Sequence, residues 1–310
     1  MRRFLIDTDT ASDDAVALVM ALRYPGVKVE AITIVAGNVP VDQGVQNALY
    51  TLELCQQDIP VYRGKSAPLS RPLETAQFVH GQDGMGDIGL PLSGRIPADG
   101  DAVDVIIETI HRFAGQLTLV TLGPLTNIAA ALRQDPDIAN EVMQCVIMGG
   151  TGQGHGNITP VGEYNFWADP EAAKLVFESG MSIKMVGWDI SRTFAVLNPQ
   201  EMSNLRSFDT PLAAFCVDIQ ATVIDFAMNQ SRLAGFDLPD PIAIAIALQP
   251  EVATETKPLF VAIEAHSDLC RGQSVVDHFG VMGKEPNAEV VLQASRDQFW
   301  EMLCDAVRMG

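Results

Sequence analysis

Apolar segments of strand length recur along this 310-residue chain, and helical patterns lie between them. The strand-like runs are RFLID (3–7), VEAITIVA (29–36), LTLVTL (117–122), QCVIMGG (144–150), IKMVGW (183–188) and LFVAIE (259–264). Residues 13–23, 43–56 (with Asp42 as a candidate N-cap), 103–113 and 170–180 read as helices, the last ending on a glycine. Strands alternating with helices predict an α/β fold: one open, mostly parallel sheet flanked by helices, Rossmann-like at its core. No repeat, linker or low-complexity tract divides the chain, so residues 1–310 read as a single domain. One long Pro/Gly-rich stretch, 66–100, has no periodicity. A segment of that length is either a functional loop or a surface excursion.

Charge narrows the partners. Twenty basic against 39 acidic residues give a net charge of −19. Such a surface repels phosphate backbones, which argues against polymeric nucleic acid and anionic membranes, though not against a small nucleoside or sugar. The opening MRRFLID has too short an apolar run for a signal peptide, and no run of about 18 apolar residues follows. Five scattered cysteines without CxxC spacing read as buried reduced thiols, as expected of a cytoplasmic protein.

The chemistry concentrates where the first strand ends. FLIDTDTASDDAVAL (4–18) carries Asp7, Asp9, Asp13 and Asp14. Clustered carboxylates repel and raise one another's pKa. Capping the following helix accounts for Asp13, but not for all four. A bound divalent cation does, and oxygen ligands without nearby His or Cys point to Ca²⁺ or Mg²⁺. The aspartyl-phosphate motif of haloacid-dehalogenase phosphatases would need Thr or Val where Ala11 stands. An EF-hand counted from Asp7 would need Gly and Glu where Ser12 and Leu18 stand.

With DTDTASDDAVAL, the stretches VAGNVP (35–40), HGQDGMG (80–86), LGPLTNIAAAL (122–132), GNITPVGEYNFWADPEAA (156–173), DPIAIAIAL (240–248) and VVDHFG…PNAEVV (275–291) run in order along nearly the whole chain. Together they closely resemble the inosine-uridine-preferring nucleoside hydrolases. The resemblance implies Ca²⁺-dependent cleavage of a ribonucleoside into free base and ribose. It implies metal ligation by Asp7, Asp9, Asp14, the backbone carbonyl of Thr126, and Asp240, with Asp9 also the general base on a metal-bound water. It implies that Asp13, Asn38, Asn157, Glu163 and Asn165 grip the ribose hydroxyls, and that the protein is a homodimer or homotetramer. Read without the resemblance, Asn38 fits a turn, Thr126 and Asn127 fit a helix start, and Trp167 and Trp188 fit the core. Glu163 and Asn165, two apart on an extended segment, would face one side.

The chain departs from the family at one place. The inosine-uridine group has a histidine before the aspartate matching Asp240, and a purine-preferring group has a tryptophan. Here the residue is Pro239, which donates no proton. The stretch CVDIQATVIDFAMNQSRL before it has no tyrosine. His80, within the matched HGQDGMG, is then the candidate acid for the departing base, and His155 a second. His111 and His266 read as structural, and His278 as outside the pocket. A hydrolase of another ribosyl compound and a weakly catalytic nucleoside-binding protein are the alternatives.

Overall fold

The computed structural model describes residues 1–230 and 234–308. Its strands are β1 (Arg2–Thr8), β2 (Val27–Ile34), β3 (Val61–Arg63), β4 (Leu117–Thr121), β5 (Gln144–Met148), β6 (Ile183–Val186), β7 (Val196–Leu197), β8 (Phe236–Asp237), β9 (Ala253–Ile263), β10 (Ser274–Asp277) and β11 (Ala288–Ala294). Nine form one sheet in the order β10-β9-β11-β6-β5-β4-β1-β2-β3, and β7 pairs with β8 apart from it. From β11 to β3 all neighbours are parallel, while β9 and β10 close one edge antiparallel. The expected α/β sheet is therefore present. It gains three strands absent from the sequence reading, namely β3, β10 and β11. The run expected at 259–264 belongs to a longer strand beginning at Ala253.

Alternation along the strands sorts side chains onto two faces. Phe4 and Ile6 of β1 enter one apolar cluster, with the helices Ser12–Arg23, Val41–Leu54 and Pro239–Leu248. Leu5 enters the other, with the helices Ala102–Arg112, Thr126–Gln134 and Pro170–Phe177. The helix Pro239–Leu248 is buried all round from Asp240 onward and packs against Ser12–Arg23. Apolar on every side, it belongs inside the protein.

Helix boundaries differ from expectation in physically simple ways. Asp42 is not a cap: the helix starts at Val41, and the Asp42 carboxylate instead takes Arg63 Nε at 2.5 Å. Asp101 caps Ala102–Arg112 by accepting the Val103 N–H. The helix after β5 and its loop stops at Phe177, before Gly180, whose φ is +82°.

Order along the sheet fixes where a ligand can sit. After β3 the chain crosses over to β4 on the other side of β1. Loops leaving β1 and β4 at their carboxyl ends therefore diverge and open a crevice, the usual ligand site in such sheets. Phe166 anchors the wall of that crevice. It is fully buried and packs edge-on to Phe177 at 5.5 Å between centroids, while a Cβ on Gly150 would come within 2.6 Å of its ring. Phe166→Ala should cost about 3–5 kcal/mol, as for other aromatic truncations in cores. Denaturant unfolding measures this, and a loss below about 1 kcal/mol would contradict the packing described.

Candidate active site

Two helix N-termini converge at the crevice. Thr8 ends β1, and after Asp9, Thr10 and Ala11 the helix Ser12–Arg23 begins with Asp13 and Asp14 in its first turn. Asp240 lies in the first turn of Pro239–Leu248. Both positions put carboxylates at the positive end of a helix dipole. Asp13, Asp14 and Asp240 each offer one carboxylate oxygen, all within 4.8 Å of one another. Asp14, rather than Asp13, caps its helix: its Oδ2 accepts the Ala11 N–H at 2.9 Å, and Thr8 Oγ1 donates to its Oδ1 at 2.6 Å.

Asp9 is fully buried beside them. The Asn38 N–H donates to its Oδ2 at 2.5 Å, while its Oδ1 has no hydrogen-bond partner. Two glycines leave room for it. A Cβ on Gly123 would sit 2.8 Å from Asp9 Oδ1, and one on Gly37 would overlap Oδ2. Burial pushes the Asp9 and Asp240 carboxyls well up, and the neighbouring aspartates push the same way. Asp14 is raised to about 7, chiefly by burial. No Lys or Arg forms an ion pair with Asp9, Asp13, Asp14 or Asp240 among the described residues. Buried carboxylates with two unpartnered oxygens, Asp9 Oδ1 and Asp13 Oδ1, fit a hard divalent cation with oxygen ligands.

One expected ligand, Asp7, lies on the other face of the sheet. Alternation puts Asp7 on the Leu5 face of β1, the side opposite the helices that carry Asp13, Asp14 and Asp240. There its Oδ1 takes Thr33 Oγ1 at 2.5 Å and Asn127 Nδ2 at 2.8 Å. Thr126 opens the helix on that same face, and its hydroxyl donates to Asp169 Oδ2 at 2.7 Å. Strand sidedness thus turns Asp7 away from the crevice, although its Oδ2 is likewise without a hydrogen-bond partner. The strand-end residue of β4 that does line it is Leu122, whose carbonyl accepts Asn165 Nδ2 at 2.7 Å.

The crevice opens into a cavity of about 460 Å³. Asp13, Asn38, Asn157, Glu163, Asn165 and Asp240 all line it, together with His80. The five expected ribose ligands therefore share one cavity, whereas Asp9 and Asp14 sit behind its lining. Glu163 and Asn165 do not lie on an extended segment. Glu163 caps the short helix Tyr164–Ala168, accepting the Asn165 N–H at 2.9 Å and the Gly150 N–H at 2.7 Å. Burial raises its carboxyl to about 7. Asn157 Oδ1 accepts the Tyr164 N–H at 2.9 Å.

His80 reaches the cavity from the long stretch 66–100, whose one helical turn is Gln77–His80. Left-handed glycines at 81, 84 and 86 fold HGQDGMG back on itself, and fully buried Met85 pins it. His80 Nδ1 lies 3.1 Å from Ser12 Oγ and 3.7 Å from Asp13 Oδ1. Burial lowers its pKa, against the opposing pull of Asp13. His155 is exposed and does not line the cavity; His278 Nε2 pairs with the Gly152 carbonyl at 2.8 Å.

Trp188 corrects another expectation. It is half-buried and lines the cavity, with Arg192 one helical turn on. Trp167 lies outside the lining, under the Arg271 guanidinium at 3.9 Å. Phe78, Phe226, Arg192 and Asp237 also line the cavity and had no role in the sequence reading. The spacing of an aromatic and an arginine four apart after β6 was the available signal.

Known proteins share this sequence pattern and fold. The sequence model described as "inosine-uridine preferring nucleoside hydrolase" matches residues 4–301. The pyrimidine-specific ribonucleoside hydrolase RihA of Salmonella schwarzengrund is 36% identical, over 98% of this chain and 97% of its own. A plant nucleoside hydrolase superposes with a TM-score of 0.94 at 31% identity, covering 100% of this chain and 99% of its own. The purine-preferring ribonucleoside hydrolase of Gardnerella vaginalis superposes at 0.91 with 30% identity, covering all of both chains. The chain is thus an N-glycosyl hydrolase acting on ribonucleosides, and it belongs to the inosine-uridine preferring nucleoside hydrolase family.

Proposed function

We propose that the protein is a Ca²⁺-dependent ribonucleoside hydrolase in which Asp9 takes the proton of the attacking water. The observation that carries this reading is the Asp9 carboxylate, buried with one oxygen fixed by the Asn38 N–H and the other unpartnered beside Asp14. Asp9, Asp13, Asp14 and Asp240 would hold the ion, with the Leu122 carbonyl in the place first assigned to Thr126. A divalent cation bound there supplies an acidic centre that orients water and lowers its pKa.

The residues of the chain do the rest. Asp13, Asn38, Asn157, Glu163 and Asn165 take the ribose hydroxyls and fix the sugar carbon in line with the water. Attack forms a C–O bond and breaks the N-glycosidic bond, while the water proton passes to Asp9. Positive charge building on the ribose is favoured by the surrounding carboxylates. His80 is the candidate donor to the departing base. Asp7 becomes an anchor that ties β1 to β2 and to the helix beginning at Thr126.

The names of the relatives divide between pyrimidine and purine nucleosides, so the test needs both. Ribose release from uridine, cytidine, inosine and adenosine should be measured on the whole chain. No release from any of them would sink the reading. Reduced buried thiols at Cys55, Cys145, Cys216 and Cys304 suit the cytoplasm. Leu269, Phe279 and Val281, each at least 80% exposed, suit association into the dimer or tetramer proposed from the resemblance.

Asp9→Asn keeps size and oxygen placement but accepts no proton. Its kcat should fall by at least roughly 10²-fold. Asp13→Asn should act mainly on KM. The opposite split would move the base to Asp13, whose Oδ1 is also unpartnered. A cation offsetting buried like charge should also stabilise the fold. Calorimetry of chelator-stripped protein should show the melting temperature rise on adding Ca²⁺, and Asp14→Ala or Asp240→Ala should abolish that rise. An unchanged melting temperature in the unmutated chain would remove the ion from this site.

A further inference from the structure

Hydrolysis separates charge: positive on the ribose, negative on the leaving base. Pro239 supplies nothing for the second charge. The cavity nevertheless carries charge of both signs. Asp13, Glu163, Asp237 and Asp240 line it, and among the described residues one permanently charged cation does so, Arg192.

We propose that Arg192 stabilises the departing base by donating guanidinium hydrogen bonds to an oxo or ring-nitrogen acceptor on it. This rests on nucleoside hydrolysis as proposed above. The arginine is held on two sides. Its guanidinium carbon lies 5.1 Å from the Trp188 ring centroid, one helical turn back. Its Nη1 lies 3.9 Å from Asp237 Oδ1, and Ser191 Oγ fixes the other carboxylate oxygen at 2.7 Å. Asp237 stands two residues before Pro239, and both line the same cavity as Arg192. The arginine therefore sits near where the family's missing acid would have been.

Its hydrogen-bonding capacity is unspent. The contact with Asp237 is an ion pair too long for a hydrogen bond, and no residue among those described hydrogen-bonds the guanidinium. A ring face and a carboxylate set its position, while its planar fork of N–H donors stays open to a planar ligand. A guanidinium keeps its proton throughout, so it acts by charge and hydrogen bonding and not as an acid.

The test compares natural nucleosides with p-nitrophenyl riboside, whose leaving group is already a stable anion. Arg192→Met should lower the ratio of kcat on uridine or inosine to kcat on p-nitrophenyl riboside by roughly 10²-fold, the usual loss for one donor aimed at developing charge. Arg192→Lys should recover part of that ratio. Arg192→Gln, which keeps length and polarity, gives the same ratio if Arg192→Met fails to fold. An unchanged ratio, or equal losses on both substrates, would overturn the assignment of Arg192. Unmutated protein that cleaves no natural nucleoside would overturn the nucleosidase reading, and this proposal with it.

Discussion

The structure depends on keeping several like charges buried at one point. Each carboxylate moved out of water costs several kcal/mol unless something compensates. Asp9, Asp13, Asp14 and Asp240 are at most 7% exposed, and neither lysine nor arginine pairs with them among the described residues. Compensation comes in two forms. Backbone N–H groups and hydroxyls take some of the oxygens, as Ala11 and Thr8 do for Asp14 and Asn38 does for Asp9. Two helix N-termini add their dipoles. Two of their oxygens are left without a hydrogen-bond partner, as a cation site requires.

That need explains features with no meaning of their own. Gly37 and Gly123 are required by the bulk of Asp9 rather than by a turn. The wholly apolar helix Pro239–Leu248 must be central for Asp240 to start it from the buried side. Crossing from β3 to β4 splits the loops around β1, and the acidic residues occupy the gap so formed. Glu163 caps a helix and faces the ligand cavity at once, so a single side chain joins local structure to the site.

The α/β class and most parallel strands were legible in the sequence because buried strands and amphipathic helices have different apolar periods. The edge of the sheet was not. β10 and β11 lie within a stretch matched only as a motif, and β3 has three residues, too few for a period. The acidic cluster was legible as a cluster, but its members were not sorted. Asp7 goes to the far face because side chains alternate along β1, which spacing alone does not register at a strand end. Trp188 reads as core from its apolar neighbours. It reaches the cavity because its helix starts directly beyond β6, at the carboxyl edge of the sheet.

Two parts of the site are built by different means, and this bears on how such a site can vary. Around the carboxylates the site is over-determined: Asp9, Asn165 and Glu163 are each tied to backbone just beyond β2, β4 or β5, so a change in one disturbs several. The part of the lining around Arg192 and His80 is made of side chains on short elements, the helix Trp188–Phe194, the two-residue strand β8, and the turn Gln77–His80. Few backbone hydrogen bonds depend on what those side chains are. A proline can therefore stand at 239 without disturbing the carboxylate site one residue away, since the first turn of a helix tolerates the missing N–H. In the proposal above, the charge at the leaving group is met from the neighbouring helix, where Arg192 lies beside Asp237.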